Sequence, residues 1–537
     1  MNRTLSIVFA SLALAACQQS ATPRPAGTAT QPAAYGEPHR PQFHFTPPSK
    51  WMNDPNGMVF YEGEYHLFYQ HYPDSTVWGP MHWGHAVSTD LVRWQHLPIA
   101  LYPDSLGLIF SGSAVIDWKN TSGFGIDGKP PMVAMFTYHD MPAEKRGSQR
   151  FQTQGLAYSN DRGRTWTKYA GNPVIPNPGI RDFRDTKVIW HEATERWVMV
   201  LAAADRVRLY TSANLRDWRP ASEFGADLGA HGGVWECPDL FPIRIEGTSE
   251  TRWVLLLSIN PGGPNGGSAT QYFVGDFDGT TFTLDPQFAR GVAAAGKEPE
   301  RGVWLDHGRD NYAGVTWSDI PASDGRRLFI GWMSNWDYAT VVPTDAWRSA
   351  MTVPRTLSLH RTPAGLRVFS TPVSELRLLR SATTTLPAQR VTGELTLRLP
   401  AGGVAAQAEI DLEFLAKAGD SADVAIELSN AAGEVHRIGF SQATRRFYSD
   451  RTALPKAFSE KFAAGIHYAP RVSTDSVVRL HLLVDRASIE LFGDGGATAL
   501  TDIAFPSQDF SRLRLVVEGD AIALRYATIS ALRSIWR

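Results

Sequence analysis

A polar turn followed by an aromatic residue recurs along the first two thirds of this chain, and this repeat constrains the fold more than any other feature. Copies lie at residues 88–94, 159–166 and 211–218, and a looser copy lies at 276–282. The copies recur roughly every 50 to 70 residues, which is the scale of one four-stranded blade of a β-propeller. Over roughly 320 residues, that spacing predicts about five blades.

Short strands broken by Gly, Pro, Asn and Asp fill the same part of the chain, up to about residue 359. Clear examples are the apolar runs at 58–61, 65–69, 197–201 and 253–257. We find no stretch with convincing helical periodicity here. Many short strands with turns between them are typical of an all-β architecture. We therefore expect residues 39–365 to form an all-β domain, a five-bladed β-propeller.

The pattern changes after about residue 359. Trp nearly disappears until Trp536, Ala becomes more frequent, and strand alternation becomes clean. Between residues 409 and 414, for example, apolar residues alternate with Glu409, Asp411 and Glu413. This pattern predicts one strand face in a core and the other in water, as in a β-sandwich. We expect a C-terminal β-sandwich at residues 380–537, with the join to the propeller within 370–390.

The first residues are typical of an export signal. A short basic start precedes an apolar run at residues 5–16, which is too short to cross a membrane as a helix. The run ends Leu-Ala-Ala-Cys, which resembles a bacterial lipobox, in which Cys17 becomes the lipidated first residue of the mature protein. An ordinary signal peptide with a chance cysteine is the alternative. We expect residues 1–17 to be a lipoprotein signal peptide and residues 18–38 to be a flexible tether.

Composition narrows the range of partners. The formal net charge of −2 over 537 residues gives no reason to expect nucleic acid or an anionic membrane surface as a partner. The two cysteines are Cys17 and Cys237, so a lipidated Cys17 leaves no internal disulfide. We expect an exported protein anchored by lipid on the periplasmic or cell-surface face. Gln18, rather than Asp, after the cysteine favours the outer membrane.

Three carboxylates are candidates for chemistry. Asp54 precedes a Pro-Asn-Gly turn and is expected to project from a strand end, although an Asp that only shapes the turn is the simpler interpretation. Asp185 follows Arg184, whose guanidinium holds a carboxylate ionised, although alternating charges on an exposed strand fit equally. Glu236 is flanked by an indole, a thiol and a proline, an apolar setting that favours the protonated form needed by a general acid. A glutamate that points to solvent is the alternative.

Together and in this order, these acids and their surroundings resemble glycoside hydrolase family 32, the invertase, inulinase and levanase group. The sequence Trp-Met-Asn-Asp-Pro-Asn-Gly at 51–57 is similar to the family's first signature, and Phe-Ser-Gly-Ser-Ala-Val at 110–115 is similar to its second. Phe-Arg-Asp at 183–185 and Trp-Glu-Cys-Pro at 235–238 resemble the third and fourth. The resemblance covers most of residues 40–360, and residues 485–492 resemble a motif of the family's C-terminal sandwich.

The resemblance implies a retaining hydrolase that cuts at fructose. Asp54 would be the nucleophile, Glu236 the general acid and then the base, and Asp185 the residue that binds fructose hydroxyls and stabilises the transition state. The implied fructose pocket contains Asn53, Gln70, Trp78, Phe110, Ser111, Arg184 and Trp336. We expect no metal and no other cofactor, because the retaining mechanism needs no ion and the early histidines form no zinc-ligand motif.

One residue departs from the family's pattern, which has Pro after Arg-Asp where this chain has Thr186. Thr also adopts extended backbone, so we expect Asp185 to keep its position beside a less rigid turn. Within the family, residues 78–85 and 331–355 resemble bacterial levanases and exo-inulinases more than sucrose-only invertases. The resemblance therefore implies exo-release of fructose from a β-2,6- or β-2,1-linked fructan, with sucrose as a possible side substrate.

Alternatives stay open from the sequence alone. The turn at 159–166 also resembles the Asp box of sialidases, but a sialidase would use a Tyr nucleophile. A sucrose-specific invertase fits the same acids, whereas a surface lipoprotein that only binds fructan has no need of both Asp54 and Glu236. Linkage preference, exo or endo cleavage and oligomeric state are open. The C-terminal sandwich is either a lectin-like module or a brace for the propeller, and we favour the brace.

Overall fold

The structure is a computed structural model that describes residues 35–294, 302–416 and 419–536. The residues from Tyr35 onwards belong to one compact unit. The predicted signal peptide with Cys17, and the predicted tether up to residue 34, lie outside the described residues. Within the described ranges, we find no helix with the length and apolar character needed to cross a membrane.

The described residues up to 372 form the five-bladed propeller that the repeat predicted. Blade one contains β1 (Lys50–Tyr61), β2 (Glu64–Tyr72), β3 (His82–Ser88) and β4 (Gln95–Leu101). Blade two contains β5 (Leu108–Ile116), β6 (Met132–His139), β7 (Gln152–Ser159) and β8 (Thr167–Lys168). Blade three contains β9 (Phe183–His191), β10 (Arg196–Ala203), β11 (Arg206–Ser212) and β12 (Trp218–Phe224).

Blade four contains β13 (Val234–Arg244), β14 (Thr251–Asn260), β15 (Ala269–Phe277) and β16 (Phe282–Leu284). Blade five contains β17 (Tyr312–Thr316), β18 (Arg327–Met333), β20 (Ala350–Met351), β21 (Arg355–Thr362) and β22 (Gly365–Pro372), and β19 (Trp347–Arg348) pairs with β1 instead. The innermost strands β1, β5, β9, β13 and β17 contact one another in that order, and β17 returns to β1. They therefore close a ring around the propeller axis.

Every copy of the sequence repeat lies at the same place in its blade. In blades one to four, each copy forms the turn between the third and fourth strands. The polar residue of the turn accepts backbone hydrogen bonds, as Asp90 does from Val92 N at 3.0 Å and Asp278 does from Thr280 N at 2.8 Å. The repeat therefore stabilises the outer edge of each blade, which is why it indicates architecture rather than activity.

Two short α-helices within the described residues went unpredicted. They are α1 (Met141–Lys145) and α2 (Pro286–Ala294). Each begins at an aspartate whose carboxylate caps it, since Asp140 accepts from Ala143 N and Asp285 accepts from Phe288 N. Helices this short do not show a helical period in a sequence. Three 3₁₀ turns, Glu192–Thr194, Ser374–Leu379 and Asp494–Gly496, complete the described helical segments.

The C-terminal domain is a β-sandwich whose two sheets share the long strand β33. Its described strands are β23 (Arg380–Leu386), β24 (Gln389–Thr396), β25 (Ala408–Leu415), β26 (Asp423–Ser429), β27 (Val435–Ser441), β28 (Arg446–Asp450), β29 (His467–Pro470), β30 (Val477–Asp485), β31 (Ser488–Gly493), β32 (Thr498–Ile503) and β33 (Arg512–Leu532). The first half of β33 pairs with β26 and the second half with β25. Ile410 of β25 and Ile426 of β26 lie in one buried cluster, so the two sheets pack face to face.

The alternation in β25 predicts its inner face correctly and its outer face wrongly. Ile410, Leu412 and Phe414 are fully buried, but Glu409 and Glu413 are buried as well. Strand β25 lies between β30 and β33, and arginine side chains cover its outer face. Glu409 accepts from Arg380 at 2.6 Å, and Glu413 accepts from Arg479 at 2.8 Å. Long arginine stems therefore take the place of water.

The two domains meet through buried polar groups. The last propeller strand ends at Pro372 and the first sandwich strand begins at Arg380, against predicted limits of residues 365 and 380. The sandwich motif at 485–492 supplies Asp485 and Glu490, and both carboxylates contact His44 of the propeller, at 2.8 and 2.7 Å. These contacts join the sandwich to the propeller, and the role of the sandwich as a brace stays a prediction.

Candidate active site

All five innermost strands carry a β-bulge near their starts, in the part of the chain that the structure describes. At each bulge two residues of the innermost strand face one residue of the next strand. The pairs are Asn53 and Asp54 opposite Gln70, Phe110 and Ser111 opposite Thr137, Asp185 and Thr186 opposite Leu201, Cys237 and Pro238 opposite Leu257, and Ala313 and Gly314 opposite Gly331. Bulges re-aim side chains and are frequent beside active sites. The four sequence signatures therefore meet at one end of the propeller axis.

Asp54 is a buried carboxylate held by neutral donors. Ser111 Oγ donates to its Oδ2 at 2.6 Å, and Asn53 Nδ2 donates to its Oδ1 at 3.0 Å. Trp51 Nε1 donates to Asn53 Oδ1 at 2.7 Å and so fixes the amide. Burial raises the pKa of Asp54, the Ser111 hydrogen bond opposes that rise, and the charge of Glu236 adds to it. The carboxylate is thus oriented without a cation in contact with it.

Asp185 lies at a bulge in the left-handed backbone region, with a φ of 66°. Its own N–H donates to Thr137 Oγ1 at 3.0 Å, and its Oδ2 accepts from Cys237 N at 3.1 Å. Burial raises the pKa of Asp185 to about 7, against the effect of Arg184, whose Nε lies 3.8 Å from Oδ2. The pKa of this carboxyl group is thus raised, whereas its neighbour Arg184 had predicted a carboxylate that is held ionised.

Thr186 has a hydrogen bond that Pro cannot form. Its Oγ1 donates to the carbonyl of Met135 in the neighbouring blade at 3.1 Å. The expectation of a less rigid turn overlooked this bond, which ties the bulge of β9 to β6. Asp185 keeps its place in the ring of bulges.

Glu236 has polar partners on both carboxylate oxygens. Arg184 donates to its Oε1 from Nη2 at 2.8 Å and from Nε at 3.1 Å, and the Tyr312 hydroxyl donates to its Oε2. The apolar setting predicted from its neighbours in sequence is therefore wrong. The indole of Trp235 is buried in a hydrophobic cluster between blades and is not part of this contact set.

Cys237 links two of the acids. Its Sγ lies 3.5 Å from Asp54 Oδ2 and 3.6 Å from Asp185 Oδ2. Burial raises the pKa of this thiol well above its usual value, and the carboxylates of Asp185 and Asp54 raise it further. The group therefore stays a thiol and donates to the carboxylates, rather than acting as a nucleophile.

Trp78, Phe110 and Trp336 pack against the buried cluster that contains Cys237 and Tyr312. The Trp336 ring lies 6.0 Å from Trp51, and Trp78 contacts Phe110 edge to face at 6.0 Å between centroids. Gln70 lies opposite the bulge that holds Asp54. The structure thus brings all seven predicted pocket residues to the same end of the axis as the acids, and their roles in binding fructose stay predictions.

Sequence reasoning missed Tyr312 and Thr137, which support Glu236 and Asp185. Tyr312 begins β17, the innermost strand of blade five. Its position just before the bulge of β17 matches that of Glu236, which lies just before the bulge of β13. An alignment of the innermost strands of the blades to one another would have revealed it. Thr137 lies in a second strand and no motif indicates it.

Comparisons with known proteins agree with this geometry. The family models for the glycosyl hydrolases family 32 N-terminal domain and C-terminal domain match residues 44–372 and 375–531. A levanase of Bacillus subtilis is 47% identical over 510 residues, covering 94% of this chain and 72% of its own.

Two solved structures are similar over almost the whole chain. The exo-inulinase of Aspergillus awamori superimposes with a TM-score of 0.84 at 38% identity, covering 94% of this chain and 100% of its own. A fructofuranosidase of Schwanniomyces occidentalis, solved with fructosylnystose, gives a TM-score of 0.78 at 31% identity, covering 92% and 98%. The chain therefore belongs to glycosyl hydrolase family 32.

Proposed function

We propose that this protein is a retaining glycoside hydrolase that releases terminal fructose from a β-2,6- or β-2,1-linked fructan. One observation carries the proposal: two differently held carboxyl groups, Asp54 and Glu236, meet in the same ring of bulges. Among the residues that the structure describes, Asp54 has neutral donors only, and Glu236 contacts Arg184 and Tyr312. A retaining hydrolase needs such a pair, one group to attack and one to move the proton.

In the first step, an oxygen of Asp54 attacks the anomeric carbon of the terminal fructose. The bond from that carbon to the leaving oxygen breaks, and the proton of Glu236 passes to the leaving oxygen. Ser111 and Asn53 hold the attacking carboxylate in place, so little reorientation is needed. The product of this step is a fructosyl ester of Asp54.

In the second step, water attacks the anomeric carbon and gives its proton to Glu236, and the ester bond to Asp54 breaks. Arg184 and Tyr312 hold the Glu236 carboxylate that forms between the two steps. Asp185, fixed by the Cys237 N–H, is placed to bind the fructose hydroxyls as positive charge develops on the ring. Both steps use residues of this chain alone.

The choice of a fructan rests on the relatives. The similar proteins include a levanase and an exo-inulinase, and a third is solved with fructosylnystose. We expect sucrose to be a side substrate. The test is a product profile on levan, inulin and sucrose, beside Glu236→Ala. Free fructose from a polymer, lost in the variant, supports the proposal. Release of oligosaccharides, or activity on sucrose alone, contradicts it.

We also propose that the protein is exported and anchored by lipid at Cys17, on the periplasmic or cell-surface face. The support is the apolar run that ends Leu-Ala-Ala-Cys, followed by a segment rich in Gln, Thr, Ala and Pro. In bacteria that express the gene with radioactive palmitate, the chain is expected to carry label and Cys17→Ala is expected to carry none. Equal label in both would contradict the anchor.

A further inference from the structure

A second cavity, of about 900 Å³, lies at the end of the propeller axis opposite the three acids. The acids lie near the starts of β1, β9 and β13, whereas the cavity walls come from the later residues of the innermost strands. These wall residues include Val115 of β5, Lys187 of β9, Asp239 of β13 and Thr316 of β17. The cavity is therefore separate from the candidate active site.

Buried polar atoms of the cavity wall lack partners among the described residues. They are Trp190 Nε1, Asp239 Oδ1, Thr316 Oγ1 and Ser318 Oγ. Asp239 shows the pattern well, because its Oδ2 accepts from Thr316 N at 2.5 Å and from Lys187 Nζ at 3.2 Å while its Oδ1 accepts nothing. These four atoms have almost no accessible surface, so a ligand in the cavity does not reach them, and their burial is a cost of the fold.

Tryptophan rings lie at the same cavity. Trp118 is 61% exposed, and its Nε1 donates to Asp319 Oδ1 at 2.8 Å, which fixes the ring in an exposed position. Trp190 packs under the ammonium group of Lys119, 4.6 Å from the ring centroid. The exposed ring of Trp118 is of the kind that stacks on the C–H faces of sugars, whereas Lys119 covers one face of Trp190.

The wall carries no net charge. Its three cations, from Lys119, Lys187 and Arg327, match its three carboxylates, from Glu192, Asp239 and Asp319, within the described lining. A phosphate or carboxylate ligand would therefore gain little from the wall as a whole. A neutral molecule with many hydroxyl groups fits the exposed ring of Trp118, the exposed polar ends of Lys119 and Glu192, and the balanced charge together.

We propose that this cavity is a second carbohydrate site, which binds a neutral fructo-oligosaccharide or a segment of the polymer. The choice of fructose units rests on the proposed function, whereas the sugar chemistry rests on the cavity itself. A second contact with the same polymer raises its effective concentration at the enzyme, so the site lowers the KM for long fructans and leaves that for sucrose unchanged.

The direct test counts binding sites by calorimetry with nystose, in full-length protein that carries Asp54→Asn to prevent turnover. We expect two nystose molecules per chain, and we expect Trp118→Ala to weaken one of the two sites about tenfold. The matched control is Tyr468→Ala, which removes an exposed ring of the sandwich that does not line the cavity. One site per chain, or two sites that Trp118→Ala leaves unchanged, would overturn the inference.

Kinetics with Asp54 intact separate this inference from the proposed function. Trp118→Ala is expected to raise the KM for inulin or levan several-fold, with kcat and all constants for sucrose unchanged. An equal loss on sucrose would mean that the change acts on the catalytic pocket and would overturn the inference. If the unmodified protein released no fructose at all, the proposed function would fail, and the nystose count would still decide the cavity.

Discussion

Two clusters of buried charge in this protein are built in opposite ways. In the catalytic pocket, Asp54, Asp185 and Glu236 lie close enough to affect one another, and Arg184 is the one cation that contacts the cluster among the described residues. Asp54 itself touches only neutral donors. The pocket therefore has more carboxyl groups than cations.

In the cluster between the domains, each carboxylate contacts a cation. His44 binds Asp485 and Glu490 through its two ring nitrogens, and Arg355 binds Glu490 and, at 2.9 Å, Asp306. The five side chains are almost completely inaccessible to water. This cluster fixes the sandwich against the propeller.

The difference appears in the pKa values. Burial raises the pKa of Asp185 to about 7 in the pocket. At the interface, burial acts in the same direction on Glu490, but Arg355 and His44 outweigh it and hold the pKa of Glu490 at about 2. An excess of carboxyl groups thus leaves the pKa of Asp185 raised in the pocket, whereas a cation beside each carboxylate lowers the pKa of Glu490 at the interface.

The largest expected effect comes from removing a carboxylate of the pocket. Asp54→Asn is expected to lower kcat for fructose release by roughly 10⁴-fold or more, because the nucleophile is lost. The melting temperature should stay level or rise, since the change removes a buried carboxyl group that no cation contacts. Fructose assays and thermal unfolding of the same samples check both. Activity within tenfold of the unmodified protein would rule out Asp54 as the nucleophile.

At the interface between the domains, removing a charged side chain is expected to lower stability. Arg355→Met should lower the free energy of unfolding by roughly 3–5 kcal/mol, because it leaves Asp306 and Glu490 buried with a cation missing. Denaturant unfolding measures this loss. The control is Arg164→Met, which breaks the more exposed pair with Glu64 and should cost less than about 1 kcal/mol. Equal losses in the two variants would show that the interface cluster is not a special source of stability.

The pH dependence of stability tests the role of His44 in the interface cluster, and it requires no mutation of the surrounding residues. Burial lowers the pKa of His44, but the hydrogen bonds that its ring donates to Asp485 and Glu490 outweigh burial and raise the pKa to about 9, from an unfolded value near 6.5. The folded state therefore binds one more proton between about pH 6.5 and pH 9. Its stabilisation, on the order of 3 kcal/mol, is complete below pH 6.5 and is lost as the pH rises through 9.

The measurement is denaturant unfolding at several pH values, beside His44→Gln. The unmodified protein should lose stability across that window, and the variant should be less stable at pH 6 with a flatter profile. Parallel profiles for the two proteins would show that His44 is neutral in the folded state.

The architecture follows from local patterns in the sequence, whereas the three acids are identified by the resemblance of their motifs to the family, since the residues around Asp54 alone favour a simple turn. The turn repeat reports the blade period, and the family's motifs lie at the bulges that contain Asp54 and Asp185 and at the bulge that follows Glu236. What surrounds the acids could not be predicted in the same way. Tyr312 lies 76 residues beyond Glu236, and Arg184 reaches Glu236 across 52 residues.

The two wrong predictions, on the surroundings of Glu236 and on the exposure of Glu409, have the same cause. Neighbours in sequence made the setting of Glu236 look apolar, but successive strand residues point to different surroundings, and the partners come from other blades. Period-two patterning assigned Glu409 to water, although Arg380 covers it from another strand. Sequence periodicity reports which face a residue lies on, and it does not report what covers that face.

The smallest effect on activity and stability is expected at Thr186, where a hydrogen bond between two uncharged groups holds a strand of the pocket. The Thr186 hydroxyl donates to the Met135 carbonyl, which pins the bulge that carries Asp185. Thr186→Val keeps the branched shape and leaves that carbonyl without its donor, so we expect a loss of about 1 kcal/mol in unfolding free energy and a fall of a few-fold in kcat. Thr186→Pro installs the residue of the family's pattern, which restrains the backbone through its ring, and should keep kcat nearer to that of the unmodified protein. Steady-state kinetics and denaturant unfolding compare the three proteins. If Thr186→Val matched the unmodified protein in kcat and in unfolding free energy, the hydroxyl would have no part in holding Asp185, and the bonds from Thr137 and Cys237 would suffice.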